Sequence, residues 1–202
     1  MPSLCARKCV LLHRHTLLYN KRKDVTAPEY KQLKAFARVD GALLAVLMIT
    51  CFACYVAGLT SPLYGFLSIV AIVMMPFFAG IRLKRFRDTG LEGSISFMRG
   101  WAYICLMFFY GGLIFALAQY AYMAYMDKGY LVMTITNILA LPENAEVIKQ
   151  LGMADQVSES IHMLQAMRPI DFALNMLTTI IMGGIMLGLP IAAIMKKVKV
   201  EN

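Results

Sequence analysis

Hydrophobic residues in this chain come in long unbroken blocks. From Gly41 to Ile81 there are 41 residues without one charged side chain, and two further uncharged blocks follow, Gly100 to Met126 and Phe172 to Met195. A soluble amphipathic helix carries a polar face at period 3.6, and these blocks have none. A helix rises about 1.5 Å per residue and crosses the roughly 30 Å hydrocarbon layer of a bilayer in about 20 residues. The first block is therefore about twice the length of one crossing and has to turn back. Gly58-Leu59-Thr60-Ser61-Pro62 supplies the turn. Gly58 caps one helix, Ser61 starts the next, and Pro62 takes a first-turn position where its missing N–H does no harm. The pattern predicts four crossings, at about 39–57, 62–81, 97–126 and 170–195. The fold class is all-α: a polytopic membrane protein of four transmembrane helices plus an amphipathic extracytoplasmic helix.

The shorter segments read differently. Pro28 to Arg38 fits an amphipathic helix on the membrane surface, with Tyr30, Leu33 and Phe36 toward lipid and Lys31, Lys34 and Arg38 toward phosphates. In the 127–169 segment, Tyr130 to Leu141 is apolar but only 12 residues long, too short to cross, so it is interfacial or re-entrant. From Glu143 a helical spacing of Val147, Ile148, Leu151, Val157, Ile161 and Leu164 predicts one amphipathic helix, weak at Gly152 and ended by Pro169. Pro76 and Pro190 fall inside spans and predict bends.

The organisation expected is a basic tail at 1–29, a membrane domain at 30–197 that includes the outward segment 127–169, and a C-terminal tail at 198–202. The first 24 residues hold only a short apolar patch around Val10-Leu11-Leu12, unlike a signal-peptide core. A helix-start pattern follows Val25, and translation is expected to begin there natively. A native product containing Cys5 and Cys9 would refute that.

Composition narrows the class. With 202 residues and 59% hydrophobic content, four spans leave no room for a separate water-soluble domain. The net charge of +8 sits at the ends of spans, so it speaks of orientation and not of a nucleic-acid partner. Lys and Arg number nine in the N-terminal segment through Arg38, five between Arg82 and Arg99, and three after span 4: 17 on one side against three on the other. By the positive-inside rule both termini are expected in the cytoplasm, in a bacterial inner membrane. The outward segment, counted through Asp171, carries six acids against three bases. Trp101 and Tyr103 are expected at the inner edge of span 3, and Tyr120, Tyr122 and Tyr125 at its outer end.

Charged groups inside spans are costly and mark function by default. Asp40 and Arg99 stand at the cytoplasmic edge, at the starts of spans 1 and 3. They either pair across the bundle, or Arg99 reaches lipid phosphates while Asp40 caps its helix. Gln119 and Asn175 are the in-span amides, read as interhelical contacts or as contacts to a substrate; such bonds contribute only about 0.6–2 kcal/mol. Gly112 and Ala116 in span 3, and Gly184 and Gly188 in span 4, form small-xxx-small faces for close packing, within the chain or between copies. Arg82, Lys84, Arg85 and Arg87 put four cations within six residues, either a topology anchor or a site for an anionic lipid or acidic partner.

Cys51-Phe-Ala-Cys54 spells CxxC but has no second pair and no neighbouring His, so it reads as a packing face and no metal is expected. His13 and His15 lie in the leader, and His162 on the outer amphipathic helix. No HExxH, GxSxG or phosphate loop occurs. No catalytic residue and no cofactor are expected. The bilayer is the expected partner, with an anionic lipid, another membrane protein or a second copy also open.

Several stretches resemble a family of small four-span membrane proteins carrying a domain of unknown function, typical of Bacteroides-type bacteria. They are Arg87-Asp88 followed by Gly93-Ser-Ile-Ser-Phe97, the aromatic-rich third span, Met167-Arg168-Pro169, and the glycine-rich last span ending in Lys196-Lys197. The similarity covers about Tyr30 to Lys197. It implies no activity and no catalytic residues. It does imply a neighbourhood of membrane glycosyltransferases, and so a role in envelope biogenesis. The expected function is a non-enzymatic accessory or scaffold; the alternative is a small transporter or lipid-handling protein bending at Pro76 and Pro190.

Overall fold

The computed structural model describes residues 27–197. The expected start near Val25 and the tail at 198–202 lie outside them. The chain divides into two units, Met1–Ala35 and Phe36–Asn202. Of the first, the described part is helical, with the Lys34 ammonium 4.4 Å from the centre of the Tyr30 ring. The boundary falls inside a helix, α1, which runs unbroken from Ala27 to Gly58. The basic segment Pro28 to Arg38 is thus not a separate surface helix. Nothing between Arg38 and Gly41 stops the helix, because Gly41 is used for packing and not for a turn.

The second unit continues with α2 (Pro62–Arg85), a π-helical turn (Phe86–Gly90), α3 (Phe97–Tyr125), α4 (Tyr130–Leu139), α5 (Pro142–Gln150), α6 (Ala154–Ala166) and α7 (Pro169–Met195). Proline stands first in α2, α5 and α7, where the backbone N–H has no partner to lose. Ser96 caps α3, its hydroxyl accepting from the Arg99 amide. Among the described residues, four helices are long and apolar enough to cross a membrane, the shortest of 27 residues. At about 1.5 Å per residue, 27 residues span roughly 40 Å, more than the hydrocarbon layer. The chain is a multi-pass, all-α membrane protein. Helices α2 and α7 continue through Pro76 and Pro190.

The 127–169 segment forms three helices. Helices α4 and α5 meet at 68°, and α5 carries Glu143, Glu146 and Lys149, which belong in water. The single amphipathic helix expected from Glu143 is two, α5 and α6. They are parted at Gly152, which takes the left-handed conformation (φ +68°) open to glycine without strain.

Helix α3 is the core element. It buries Tyr103, Ile104, Met107, Phe108, Phe115 and Gln119 among others. Leu63, Phe66, Ile69, Val73 and Phe77 of α2 are exposed, as a lipid-facing surface requires. Two close approaches set the packing. A Cβ added to Gly41 would lie 2.8 Å from the Met107 carbonyl oxygen, and one added to Gly111 would lie 2.9 Å from the Gly41 carbonyl oxygen. A Cβ on Gly184 would lie 2.5 Å from Phe108 Cβ. Small residues at such crossings let helices approach where lipid offers no hydrophobic drive.

Candidate functional site

At the end of the spans that carries the basic residues, a polar network is built inward. Asp40 on α1 is 2% exposed. Its Oδ1 accepts from Arg82 Nε at 2.7 Å and from the second guanidinium nitrogen; its Oδ2 accepts from the Tyr103 hydroxyl. One carboxylate therefore joins α1, α2 and α3. The glycine contact at Gly41, one residue on, brings α1 close enough to α3 for Asp40 to reach Tyr103. Phe86 stacks flat on the Tyr103 ring at 4.7 Å, and Phe36 tilts against Phe86 at 5.2 Å. Arg87 brings in the fourth span by donating to the Met195 carbonyl at 3.2 Å, and also holds Asp88 at 2.8 Å. Ile95 and Lys197 exchange backbone hydrogen bonds of 2.8 and 3.1 Å. A buried carboxylate needs this many donors, since an unpaired charge there is costly.

This corrects both readings of Asp40, which neither pairs with Arg99 nor caps a helix start, since it lies within α1. The described partners of Asp40 are Arg82 and Tyr103, and Arg99 is not among them. Because α2 and its π-helical turn stay helical through Gly90, the basic run has faces: Arg82 and Arg87 turn inward, while Lys84 and Arg85 are exposed. The four cations do not form one patch. Tyr103, expected at the interface, is fully buried. Trp101 is half-buried and donates to the Ile185 carbonyl at 3.2 Å.

The two amides part company. Asn175 is exposed, and its backbone carbonyl accepts from the Thr179 hydroxyl of its own helix at 3.0 Å; its side chain makes no described interhelical bond. Gln119 is 1% exposed, yet neither its Oε1 nor its Nε2 has a hydrogen-bond partner among the described residues. The glue expected of both amides is absent because one faces outward and the other faces apolar side chains. The small-residue faces do pack, within the chain. Gly184 meets Phe108 and Gly188 meets Trp101 and Ile104, while Gly112 meets Leu177 and Ile180; Ala116 is 8% exposed. Cys51 donates its thiol to the Ser68 carbonyl at 3.5 Å, tying α1 to α2.

At the opposite end Asp127 is 3% exposed and its carboxylate accepts from the amides of Gly129 and Leu131, at 3.1 and 3.0 Å. It caps α4 from the preceding loop. Beyond it lies a hollow of about 530 Å³ between the end of α3, α4 and α6, reaching Asp127, Thr136 and Asn137. Outside the spans, the carboxylate of Asp171 holds Arg168 by two bonds of 2.8 and 3.0 Å, raising the guanidinium pKa above its ordinary value.

Deeper in, all four spans line a cleft of about 330 Å³, with α4 and α6 over one end of it. Its lining side chains are uncharged, from Met48 and Phe52 on α1 to Phe172 and Met176 on α7, and Gln119 is the amide among them. A second cleft of about 370 Å³ shares Phe52, Phe115 and Gln119 with the first. The Phe52 and Phe115 rings meet edge-on at 5.9 Å.

A family model described as a protein of unknown function (DUF4199) matches residues 40–197. No curated protein and no solved structure matches the chain.

Proposed function

The chain belongs to the DUF4199 family, and we propose that it is a non-enzymatic accessory protein of the bacterial inner membrane, both termini cytoplasmic, that scaffolds envelope biogenesis. The charge asymmetry supports the orientation, with 17 of 20 basic residues on the terminal side of the spans. The observation that carries the scaffold role is the braced basic end. Asp40, Arg82, Tyr103 and Arg87 tie all four spans together there, while Lys84 and Arg85 stay exposed beside the brace. A rigid face presenting cations suits an acidic partner surface, because little ordering cost accompanies docking.

The test is purification from native cells in a gentle detergent, with Lys84→Glu/Arg85→Glu alongside. A stoichiometric membrane protein that accompanies the native chain and is lost from the variant supports the role. A native chain that purifies alone refutes it. The rival role, lipid handling, is favoured by the uncharged cleft around Gln119.

A further inference from the structure

We propose that the cleft lined by the four spans binds a single-chain amphiphile, its neutral hydroxyl or carboxyl hydrogen-bonded to the Gln119 amide. The inference goes beyond the scaffold role and deepens the lipid-handling one.

Gln119 is almost wholly buried, and among the described residues both of its amide atoms lack partners. Buried amides are hydrogen-bonded as a rule, and each exception needs a cause. Within a membrane the alternative to a partner is worse than in a soluble core, because no bulk water lies nearby. A ligand supplies the cause. The amide offers one acceptor and two donor hydrogens, so its best partner both donates and accepts. A hydroxyl or a protonated carboxyl does so. The ester of a phospholipid only accepts, and would leave Oε1 unpartnered. A charged headgroup has no counter-ion among the uncharged lining side chains.

A cleft of about 330 Å³ has room for a single alkyl chain. The thioethers of Met48, Met75 and Met176 line it, and flexible methionines adapt to a chain of no fixed shape. Gln119 lies less than two turns from the C-terminal end of α3, so the polar group sits under the α4 and α6 cover and the chain points back between the spans.

The test uses the full chain in nanodiscs and a photoreactive dodecanol carrying a diazirine at its far end. Labelled peptides are expected from cleft residues deeper than Gln119, such as Met48, Met75 and Ile180. Plain dodecanol should compete for them, and dodecane should compete roughly tenfold more weakly, the value of satisfying a buried amide. In Gln119→Leu the two competitors should become equal. That variant folds, because removing an unsatisfied amide in favour of an apolar group of similar size is neutral or stabilising. Ile135→Trp, which fills the cleft, should abolish labelling there. Equal competition by dodecanol and dodecane in the native chain would overturn the proposal, as would labelling confined to lipid-facing residues such as Phe66. A phospholipid retained in native mass spectrometry that resists displacement by dodecanol would assign the cleft to an acyl ester and also overturn it. None of these outcomes bears on Lys84 and Arg85, so the scaffold role stands or falls separately.

Discussion

Two adjacent glycines of α7 isolate the energy of the α3–α7 contact. A Cβ added to Gly183 meets nothing within 4 Å, whereas one added to Gly184 lands 2.5 Å from Phe108 Cβ and 2.7 Å from Cγ. Carbon atoms attract best at about 3.5–4.0 Å, so the second substitution is deeply repulsive as placed. Phe108 Cβ is fixed to the α3 backbone and cannot be rotated away. The helices must part locally, and even a 0.5–1 Å gap forfeits about a quarter to a half of each contact it opens. Overpacking of this kind costs about 1–3 kcal/mol. Both substitutions gain the same helix propensity, up to about 1 kcal/mol, so the difference between them is packing alone. Reversible unfolding with SDS in mixed micelles reads that difference. Gly183→Ala should equal or exceed the native chain, and Gly184→Ala should fall about 1–3 kcal/mol below Gly183→Ala. Gly188→Ala should lie between, its nearest contact being Trp101 Cδ1 at 3.0 Å. Equal stability of the Gly183 and Gly184 variants would refute the close crossing.

Asp40→Ala strands Arg82, whose side chain is 15% exposed, and should cost about 3–5 kcal/mol in the same unfolding assay. Tyr103→Phe removes one charge-assisted bond and should cost less, about 1.5–3 kcal/mol; the reverse ranking would mean that Arg82 is not the main partner. Reporter fusions after Met126 and after Lys197 should fall in opposite compartments, the second in the cytoplasm; both in one compartment would break the four-span topology. Gly152→Ala forces a side chain into the left-handed region at φ +68° and should cost about 1–2 kcal/mol. It is read as faster proteolysis between α5 and α6, and an unchanged cleavage rate would count against the strained turn.

The four spans were legible because lipid imposes one demand, an uncharged helix of sufficient length, and the chain writes it without interruption. The turn at Gly58 to Pro62 was legible for the same reason, since its residues have few other uses. Side-chain partners were not. Asp40 was recognised as a costly edge charge, but the choice between Arg82 and Arg99 depends on how far α2 stays helical past Ile81, and no cap marks that point. Once the helix runs on to Gly90, the period of 3.6 turns Arg82 inward with Leu83 and Phe86. Tyr103 was read as an interfacial aromatic because a tyrosine near a span edge has two uses, and only the neighbouring helix decides between them. The signal that could have found it is the Gly41–Gly111 pair, which brings α1 against α3 beside Asp40. Gln119 was legible as an anomaly, whereas its lack of a partner was not, since that depends on every neighbouring helix at once.

The two ends of the membrane domain are built to different stiffness, and amide exchange can measure it. Polar bonds and stacked rings brace the basic end across all four spans. At the other end, α5 and α6 bury no residue and α4 buries only Leu131. Local opening costs least where few apolar contacts must break. Helices α5 and α6 should therefore exchange first and α3 last. Leu131, Ile135 and Leu164 of α4 and α6 cover the cleft, so an entering chain has only to lift this cover and need not part the spans. No residue of α5 lines the cleft. Dodecanol should then slow exchange in α4 and leave α5 unchanged, and in Gln119→Leu it should slow α4 no more than dodecane does. Equal slowing of α4 and α5 would show the lipid acting on the whole outer face and not within the cleft. Exchange of α3 as early as α5 would remove the rigid frame on which both the brace and the cleft depend.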